Sequence, residues 1–267
     1  MAGKIVTLTS DFGLKDPYVA EMKAAIVSLC PAAKIIDITH MVNKFDIREG
    51  AFMLASATPY FPKGTINIAV VDPAVGSIRR PIIIQTTQGF FVGPDNGLLI
   101  LAAEKQGIQI VREITNKKLM LPIISSTFHG RDIFAPAAAH LANGVPFEEF
   151  GSEVIDAVKP TFSKVIIEND CLIGEALFVD DFGNIVTNIN GKDFDCPKGA
   201  LIRIDLPRGS LHLKLSKTYA DVKPKQTVLL SGSQGYMEIA INQGNAAKKF
   251  KVKGGERIAL TKPKSKY

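Results

Sequence analysis

Residues 65–71 read Thr-Ile-Asn-Ile-Ala-Val-Val, a nearly continuous apolar run. Such a run is typical of a strand that is buried on both faces, because few polar positions interrupt it. Segments with strand and helix periodicity alternate around it between residues 4 and 142. This alternation predicts an N-terminal α/β domain with a mainly parallel central sheet and helices on both of its faces.

The local patterns also predict where the elements of this domain lie. Strands are expected at residues 4–9, 34–38, 65–71, 81–86, 89–92 and 108–114, and helices at 17–30, 46–60, 98–105 and 132–142. Pro17 suits the first turn of a helix and Asp16 suits the preceding cap, so the first helix is expected to begin there.

The pattern changes near residue 160, beyond which short strands and turn residues dominate. Strands are expected at 171–179, 184–188, 201–204, 211–215, 227–230, 237–241 and 257–260. Such a series predicts a smaller all-β C-terminal domain, a barrel or closed sheet. We therefore place the N-terminal domain at residues 1–160 and the C-terminal domain at residues 161–267, with the boundary within residues 158–163.

Composition excludes several classes of protein. The formal charge is +6, but the basic residues are scattered apart from residues 248–253 and a C-terminal tail with Lys262, Lys264 and Lys266. Without a basic stripe interleaved with aromatics, no nucleic-acid partner is expected. No apolar run approaches the ~18 residues of a membrane span, so no membrane association is expected. The N-terminus passes directly into a strand pattern without a signal peptide, which predicts a cytoplasmic protein.

Three acidic residues follow the first three predicted strands. These are Asp11, Asp37 and Asp72, and ligands of open α/β sheets bind at the carboxyl ends of the strands. A carboxylate such as Asp11 can accept hydrogen bonds from two ribose hydroxyls, since each of its oxygens is an acceptor. The alternative, on sequence alone the commoner role, is a cap on the following turn.

A polar cluster is predicted around His129. Asp72 and Arg79 flank a loop containing proline and glycine, which can fold back to pair them, and His129 lies on a polar turn between two apolar segments. If His129 meets the pair, the three side chains could bind and orient a water molecule. The alternatives are a surface ion pair, worth ~0–1 kcal/mol, and a histidine that only fixes its loop.

Two loops of the C-terminal domain carry further candidates. Residues 180–184, Asp-Asp-Phe-Gly-Asn, could stack on a nucleobase and hydrogen-bond its edge, or could simply form a hairpin turn. Residues 230–236 form a glycine-rich polar loop without the spacing of a phosphate-binding loop, and no dinucleotide-binding fingerprint follows the first strand.

A metal site built from Asp11, His40, Asp72 and His129 is the competing interpretation, but no pair has metal-ligand spacing.

Five segments together resemble a known family. They are residues 7–13 (Thr-Leu-Thr-Ser-Asp-Phe-Gly), 72–76 (Asp-Pro-Ala-Val-Gly), 94–97 (Pro-Asp-Asn-Gly), 126–132 (Ser-Thr-Phe-His-Gly-Arg-Asp) and 180–184. The set, spread over nearly the whole chain, resembles the adenosine-forming S-adenosyl-L-methionine (SAM) hydrolases, or SAM hydroxide adenosyltransferases, which are relatives of the SAM-dependent fluorinase and chlorinase. The resemblance implies a homotrimer with each active site between the N-terminal domain of one subunit and the C-terminal domain of the next.

The resemblance also implies roles for individual residues. Its water-handling set falls on Asp72, Arg79 and His129, and its ribose-binding aspartate falls on Asp11. Contacts to adenine and methionine fall on Phe182, Asn184 and Ser233, with either Asp180 or Asp181 holding the methionine ammonium. Phe45, Phe128 and Gly130 complete the implied substrate-contacting set.

This sequence departs from the halogenases at several implied site positions. Tyrosines stand there in place of Asp72 and His129, a halide-contacting serine in place of Gly130, and the fluorinase has tryptophan in place of Phe45. The loop inserted in the halogenases is also missing, since residues 81–92 form a short segment. These differences replace a dry halide pocket with a polar one.

The function implied is hydrolysis of SAM to adenosine and L-methionine. Water or hydroxide would attack the ribose C5′ in a metal-independent displacement, with no cofactor, since SAM is the substrate. The alternatives are a chlorinase-like, SAM-dependent halogenase and a non-catalytic module that binds SAM or a nucleoside.

Overall fold

A computed structural model describes residues 4–194 and 196–263. The chain divides between Pro160 and Thr161 into two compact units, each of which has its own sheet. Lys264 and Lys266 of the basic tail lie outside the described residues. Within these residues, no helix has both the length and the apolar character needed to cross a membrane.

The N-terminal unit is built on a six-stranded sheet with the order β2-β1-β3-β5-β4-β6. β1, β2, β3 and β5 are parallel, whereas β4 is antiparallel to both of its neighbours. The prediction of a mainly parallel sheet is therefore confirmed. The strands are β1 (Ile5–Ser10), β2 (Lys34–Thr39), β3 (Thr65–Val70), β4 (Pro81–Thr86), β5 (Gly89–Pro94) and β6 (Ile108–Glu113).

The central strand β3 shows why its sequence is nearly continuously apolar, because all six of its residues are buried. Ile66, Ile68 and Val70 pack into one cluster with two helices, α1 (Tyr18–Leu29) and α4 (Ala135–Ala142). The helices α2 (Ile47–Ala57) and α3 (Ile100–Lys105) pack against each other. Successive side chains point to opposite faces of a strand. Val71 therefore points to the face opposite Val70, where it approaches Gly50 of α2.

Several helix ends differ from the prediction. Helix α1 begins at Tyr18, and its capping position is occupied by Pro17, not by Asp16. The predicted helix at 46–60 ends as an α-helix at Ala57 and continues as a 3₁₀ turn, Thr58–Tyr60. The predicted helix at 132–142 begins as a π-helical turn, Gly130–Phe134, before α4. Asp46 does cap α2, accepting a hydrogen bond from the Glu49 amide at 3.0 Å.

The C-terminal unit is a nearly closed antiparallel barrel, which confirms the prediction. Its strand order is β11-β10-β14-β8-β9-β13-β12, and β7 pairs with β8. A bridge between Leu215 and Leu229 brings the two ends of this order together. Strand β7 and helix α5 were not predicted, because each is very short. The elements are β7 (Ile166–Glu168), β8 (Cys171–Val179), β9 (Ile185–Asn190), β10 (Leu201–Leu206), β11 (Gly209–Lys214), β12 (Thr227–Ser231), β13 (Tyr236–Ile241), α5 (Ala246–Phe250) and β14 (Arg257–Thr261).

Candidate active site

A cavity of about 410 Å³ opens in the N-terminal unit. Asp11 follows β1, Lys44 and Phe45 lie between β2 and α2, and Asp72 follows β3. The carboxyl ends of these parallel strands meet at one edge of the sheet, which is where such folds bind ligands. The cavity is lined by Asp11, Phe12, Asp16, Tyr18, Lys44, Phe45, Val70, Asp72, Val75, Thr127, Phe128, His129 and Gly130.

Asp72 and Arg79 form a buried ion pair beside this cavity. Arg79 Nε donates to Asp72 Oδ2 at 2.9 Å, and Arg79 Nη2 donates to the same oxygen at 2.5 Å. The Asp72 side chain is only 4% exposed and the Arg79 side chain only 7%. The Arg79 guanidinium also lies over the Phe134 ring, 5.3 Å from its centroid. The surface ion pair considered from the sequence is therefore wrong, because this pair is shielded from solvent.

His129 joins the pair through Arg79, whose Nη2 lies 2.7 Å from His129 Nδ1. A guanidinium can only donate, so Nδ1 must accept, and the imidazole is neutral with its proton on Nε2. Burial lowers the pKa of His129, and the nearby Arg79 charge lowers it further, against smaller opposing effects of Asp72 and Asp132. The geometry thus supplies a neutral histidine whose remaining hydrogen-bonding atom is a donor.

The imidazole form can be measured directly. Multinuclear NMR at neutral pH should show His129 as the Nε2–H tautomer, with a titration midpoint below the ordinary value of 6.5. Replacing Arg79 by methionine should raise that midpoint, since a nearby positive charge disfavours imidazolium. A midpoint above 6.5 in the wild type, or no rise in the variant, would contradict the assignment.

The loop that carries Asp72 and Arg79 depends on Gly76. Gly76 has a φ of +77°, and a Cβ added there would lie 2.2 Å from the carbonyl oxygen of Ser126. Only glycine permits both that conformation and that approach without strain. Gly76 thereby seats the Asp72 loop directly against the segment that precedes His129.

A second polar network, centred on the buried Asp132, fixes the segment around His129. Asp132, which is fully buried, accepts hydrogen bonds from the Ser125 amide and from Arg131 Nε, both at 2.7 Å. Arg131 also pairs with Glu21 of α1 at 2.7 Å. The π-helical turn lies directly after His129, and turns of this kind are frequent at functional sites.

Asp11 is 94% buried and is held between the loops that follow β1 and β2. Its Oδ2 accepts a hydrogen bond from the Phe45 amide at 2.9 Å, and its backbone carbonyl accepts one from Lys44 Nζ. Phe45 adopts a positive φ of 67° and is 67% exposed. An aromatic ring thus stands at the cavity next to a buried carboxylate, an arrangement suited to a ribose and its base.

Gly130 lies beneath an aromatic cluster. The Phe128 ring packs edge-on against Phe12 and Tyr18, with centroids 5.7 and 5.2 Å apart. A Cβ on Gly130 would lie 3.1 Å from Met22 Sδ and 3.2 Å from the Phe128 ring. The small residue therefore lets the His129 turn pack closely against the aromatic wall.

The C-terminal unit has a cavity of about 460 Å³, lined by Asp180, Phe182, Asn184, Tyr219, Ile241, Asn242, Gln243 and Gly244. Asp180 fixes Asn184 twice, accepting from its amide at 2.8 Å and from its side-chain Nδ2 at 2.9 Å. The Phe182 side chain is 78% exposed. An exposed ring, an amide and a carboxylate therefore converge on one cavity.

The structure does not bring every predicted residue to these two cavities. Asp181 and Ser233 are exposed and line neither of them, and Ser233 Oγ bonds to the neighbouring Gln234 at 2.9 Å. Of the two aspartates left open by the sequence, Asp180 is the one in the cavity.

Sequence reasoning missed Lys44 and Tyr219, both of which line a cavity. Tyr219 lies in a 3₁₀ turn, Tyr219–Asp221, where no periodicity distinguishes it, and its hydroxyl donates to Glu238 at 2.6 Å. Lys44 could have been suspected only from its position next to Phe45.

Glu238 offers a stability test in this unit. Burial raises the pKa of its carboxyl, the Tyr219 hydrogen bond opposes that rise, and the Asp180 charge adds to it. A raised folded-state pKa means that stability is present at low pH and is lost as pH rises through that value. Glu238→Gln keeps the acceptor for Tyr219, so we expect it to be more stable at alkaline pH by on the order of 1 kcal/mol.

The measurement is urea unfolding of wild type and Glu238→Gln at acidic and alkaline pH. Glu168→Gln, which changes an exposed carboxylate of β7, is the control and should show no gain. Equal stability of wild type and Glu238→Gln across the pH range would contradict the expectation.

The four ligands of the hypothetical metal site are engaged elsewhere. Asp72 and His129 bind Arg79, Asp11 binds the Phe45 amide, and His40 bonds to Ser10. Among residues 4–194 and 196–263, no group of three or more His, Cys, Asp or Glu side chains could hold a metal ion.

Comparison with known proteins gives consistent matches across the chain. Residues 6–151 match the family model of the SAM hydroxide adenosyltransferase N-terminal domain, and residues 174–259 match that of the C-terminal domain. A protein of Salinispora tropica named (R)-S-adenosyl-L-methionine hydrolase is 38% identical over 260 residues, covering 96% of this chain and 97% of the relative. A protein of the same name from Thermus thermophilus is 36% identical, covering 96% and 98%.

A more distant relative and a solved structure also match this chain over nearly its whole length. A fluorinase of Actinoplanes sp. is 28% identical over 299 residues, covering 97% of each chain. The crystal structure of an uncharacterized conserved protein from Thermotoga maritima superposes with a TM-score of 0.88 at 39% identity, covering 96% of this chain and 99% of that one.

Proposed function

Since the chain belongs to the SAM hydroxide adenosyltransferase family, we propose that it hydrolyses (R)-SAM to adenosine and L-methionine. Four relatives that are 36–38% identical over at least 92% of their own length carry the name (R)-S-adenosyl-L-methionine hydrolase. The observation that carries the proposal is the Asp72–Arg79–His129 cluster, in which a buried ion pair meets a half-buried histidine. Asp72 and His129 line the same cavity as Asp11.

In the proposed reaction, the nucleophile oxygen attacks C5′ as the bond from C5′ to sulfur breaks. The electron pair of that bond goes to the sulfur, which leaves as the thioether of methionine, and the water proton is released. Asp11 accepts hydrogen bonds from the ribose hydroxyls and so binds the nucleoside part of the substrate. An anionic nucleophile and a sulfonium cation lose charge as they react, so a water-poor cavity favours the transition state.

The cluster acts on the nucleophile by donation. Because Nδ1 of His129 accepts from Arg79, the histidine offers only its Nε2–H to a molecule in the cavity. A bound hydroxide is stabilised by this donor and by the positive charge of Arg79, which lowers the pKa of the corresponding water. In this proposal His129 orients the nucleophile, Asp72 holds Arg79, and neither histidine nitrogen removes the water proton.

The C-terminal cavity receives the remaining parts of the substrate in this proposal. Phe182 stacks on the adenine ring, Asn184 hydrogen-bonds its edge, and Asp180 binds the methionine ammonium. Their location in one cavity supports this assignment. The implied roles of Asp181 and Ser233 have no such support.

We also propose that the chain forms a homotrimer in which each site combines the N-terminal unit of one subunit with the C-terminal unit of another. The supporting observation is that each unit carries a separate cavity with a different part of the predicted set. Co-expression of His129→Ala with Asn184→Ala tests it, because random assembly of the two inactive chains restores about one quarter of the sites. If both halves came from one subunit, no activity would return.

The function is tested by incubating the purified protein with each sulfonium epimer of SAM and separating the products. Adenosine and methionine should form in equal amounts from the (R) epimer, at a rate unaffected by EDTA. Formation of S-adenosylhomocysteine or another methylated product would refute hydrolysis, and loss of activity in EDTA would restore the metal hypothesis.

The same assay separates the alternatives. A halogenase would form 5′-halo-5′-deoxyadenosine when chloride is supplied, but the polar side chains of Asp72 and His129 do not suit a halide. Gly130 also offers no hydroxyl to contact one. A non-catalytic module would bind SAM without releasing adenosine. The predicted cytoplasmic location remains a prediction that cell fractionation would test.

A further inference from the structure

Two buried polar side chains link the loop that carries Asp11 to the loop that carries Phe45. Ser10 is the last residue of β1, His40 directly follows β2, and they are 1% and 4% exposed. Ser10 Oγ lies 2.8 Å from His40 Nδ1. Neither residue lines the cavity, so they cannot touch a substrate there.

Backbone hydrogen bonds reinforce this link on both sides. The Gly13 amide donates to the His40 carbonyl at 2.7 Å, and the Val42 amide donates to the Ser10 carbonyl at 3.4 Å. The Phe12 amide donates to Ser10 Oγ at 3.3 Å. Asp11 therefore lies within a segment that is tied to the second loop immediately before and after it.

The link extends to the surface through Asp37. His40 Nε2 lies 3.1 Å from Asp37 Oδ1, and Lys23 Nζ donates to Asp37 Oδ2 at 2.6 Å. Among the described residues, the buried His40 Nε2 has no hydrogen-bond partner. The Asp37 carboxylate oxygen 3.1 Å away nevertheless disfavours a lone pair on Nε2, so a neutral His40 carries its proton there and accepts at Nδ1. Ser10 then donates to His40 and accepts from the Phe12 amide, which satisfies its hydroxyl in both roles.

This Ser-His-Asp series has the composition of a hydrolytic relay but not its accessibility. A nucleophilic serine must reach the substrate, whereas Ser10 is almost completely buried. Its hydroxyl instead accepts from the Phe12 amide and so holds the backbone on either side of Asp11. The series is therefore suited to positioning a neighbouring carboxylate.

We infer that His40, acting through Ser10, is a positioning residue that fixes Asp11 for the ribose hydroxyls. This inference rests on the proposed function, in which Asp11 binds the ribose. Loss of the link should weaken binding of the nucleoside part of the substrate, because Asp11 must then be ordered when the ligand binds. The Asp72–Arg79–His129 cluster should be unaffected, because it lies on other loops.

Two substitutions of nearly equal size separate this role from general packing. Asparagine at position 40 can place a polar atom near the position of Nδ1, whereas glutamine reaches instead toward the position of Nε2. His40→Asn should therefore keep the contact with Ser10, and His40→Gln and Ser10→Ala should lose it. The assay measures kcat and KM for SAM together with adenosine affinity by calorimetry, and thermal melting checks that each variant is folded.

We expect His40→Gln and Ser10→Ala to raise KM and the adenosine Kd about tenfold with kcat changed less than about twofold, and His40→Asn to remain within about twofold of wild type. Equal behaviour of the asparagine and glutamine variants, or a fall in kcat at unchanged KM, would overturn the inference. If His40→Gln does not fold, Ser10→Ala alone decides it by the same measurements. If the wild-type protein binds adenosine but does not hydrolyse SAM, the proposed function is refuted. The adenosine Kd values of the variants would then still test the positioning role of His40.

Discussion

Replacing Arg79 with methionine is expected to lower kcat by at least about 100-fold, because one side chain holds the other two members of the cluster. Arg79 donates to Asp72 at 2.9 Å and lies 2.7 Å from His129. Without it, nothing in the observed geometry fixes the imidazole relative to the carboxylate. The bound nucleophile would also lose the positive charge that stabilises hydroxide. Steady-state kinetics with SAM measures the effect.

The same substitution should destabilise the protein, because it leaves the Asp72 carboxylate buried without its partner. Breaking a buried pair in this way costs about 3–5 kcal/mol. The double variant Asp72→Asn/Arg79→Met should recover much of that stability in urea unfolding and none of the activity. This difference separates a catalytic defect from simple unfolding.

A neighbouring arginine provides the matched control. Arg80 pairs with Asp95 at 2.6 Å and with Asp156 at 2.7 Å, and neither of these partners belongs to the Asp72–Arg79–His129 cluster or lines the cavity. Arg80→Met should therefore keep a wild-type kcat. Arg79→Lys, which keeps the charge but not the planar fork, should fall between the two. Full turnover by Arg79→Met would exclude the cluster from catalysis.

Gly76→Ala is the second change for which a large effect is expected, on both stability and kcat. The new Cβ would meet the Ser126 carbonyl oxygen at 2.2 Å while the backbone is held at a φ of +77°. Since two backbone segments collide, the Asp72 loop must move away from the segment before His129. A shift of about 1 Å in a catalytic group can lower the rate about 100-fold.

Gly64→Ala isolates the contribution of backbone conformation. Gly64 has a similar φ of +86°, but no atom lies within 4 Å of the added Cβ. It should therefore lose only about 1–2 kcal/mol for a left-handed alanine and keep its kcat. Urea unfolding and kinetics of both variants make the comparison. Equal losses at the two positions would show that the contact with Ser126 does not matter.

The local patterns of the sequence were sufficient for most of the fold. The buried run at residues 65–71 became β3, and the strand predicted at residues 171–179 became β8 with the same limits. Apolar periodicity reports which face of an element is buried, and that is decided within a few residues. Helix ends were predicted less well, as at Asp16 and at the π-helical turn, because hydrogen bonds at helix ends depend on neighbouring segments.

The candidate site was predictable where its residues lie close together in short sequence motifs. Asp72 and Arg79 belong to one loop, and the sequence alone suggested that the loop could pair them. The sequence also placed His129 on a polar turn that could meet this pair, and the family resemblance implied one water-handling set for all three. The structure places all three together. Their roles in the reaction remain a proposal that the variants above would test.

What the sequence determined by itself was the order of strands and helices, the two fold classes and the residue types available for chemistry. Only the tertiary structure decided which ring nitrogen of His129 carries the proton. It also decided that Asp180 and not Asp181 lines the C-terminal cavity, and that Ser10 contacts His40. These outcomes depend on contacts between segments far apart in the chain, such as Arg79 and His129, whose positions differ by 50. A periodic pattern constrains the faces of its own element, whereas hydrogen-bond partners are selected by how the elements pack.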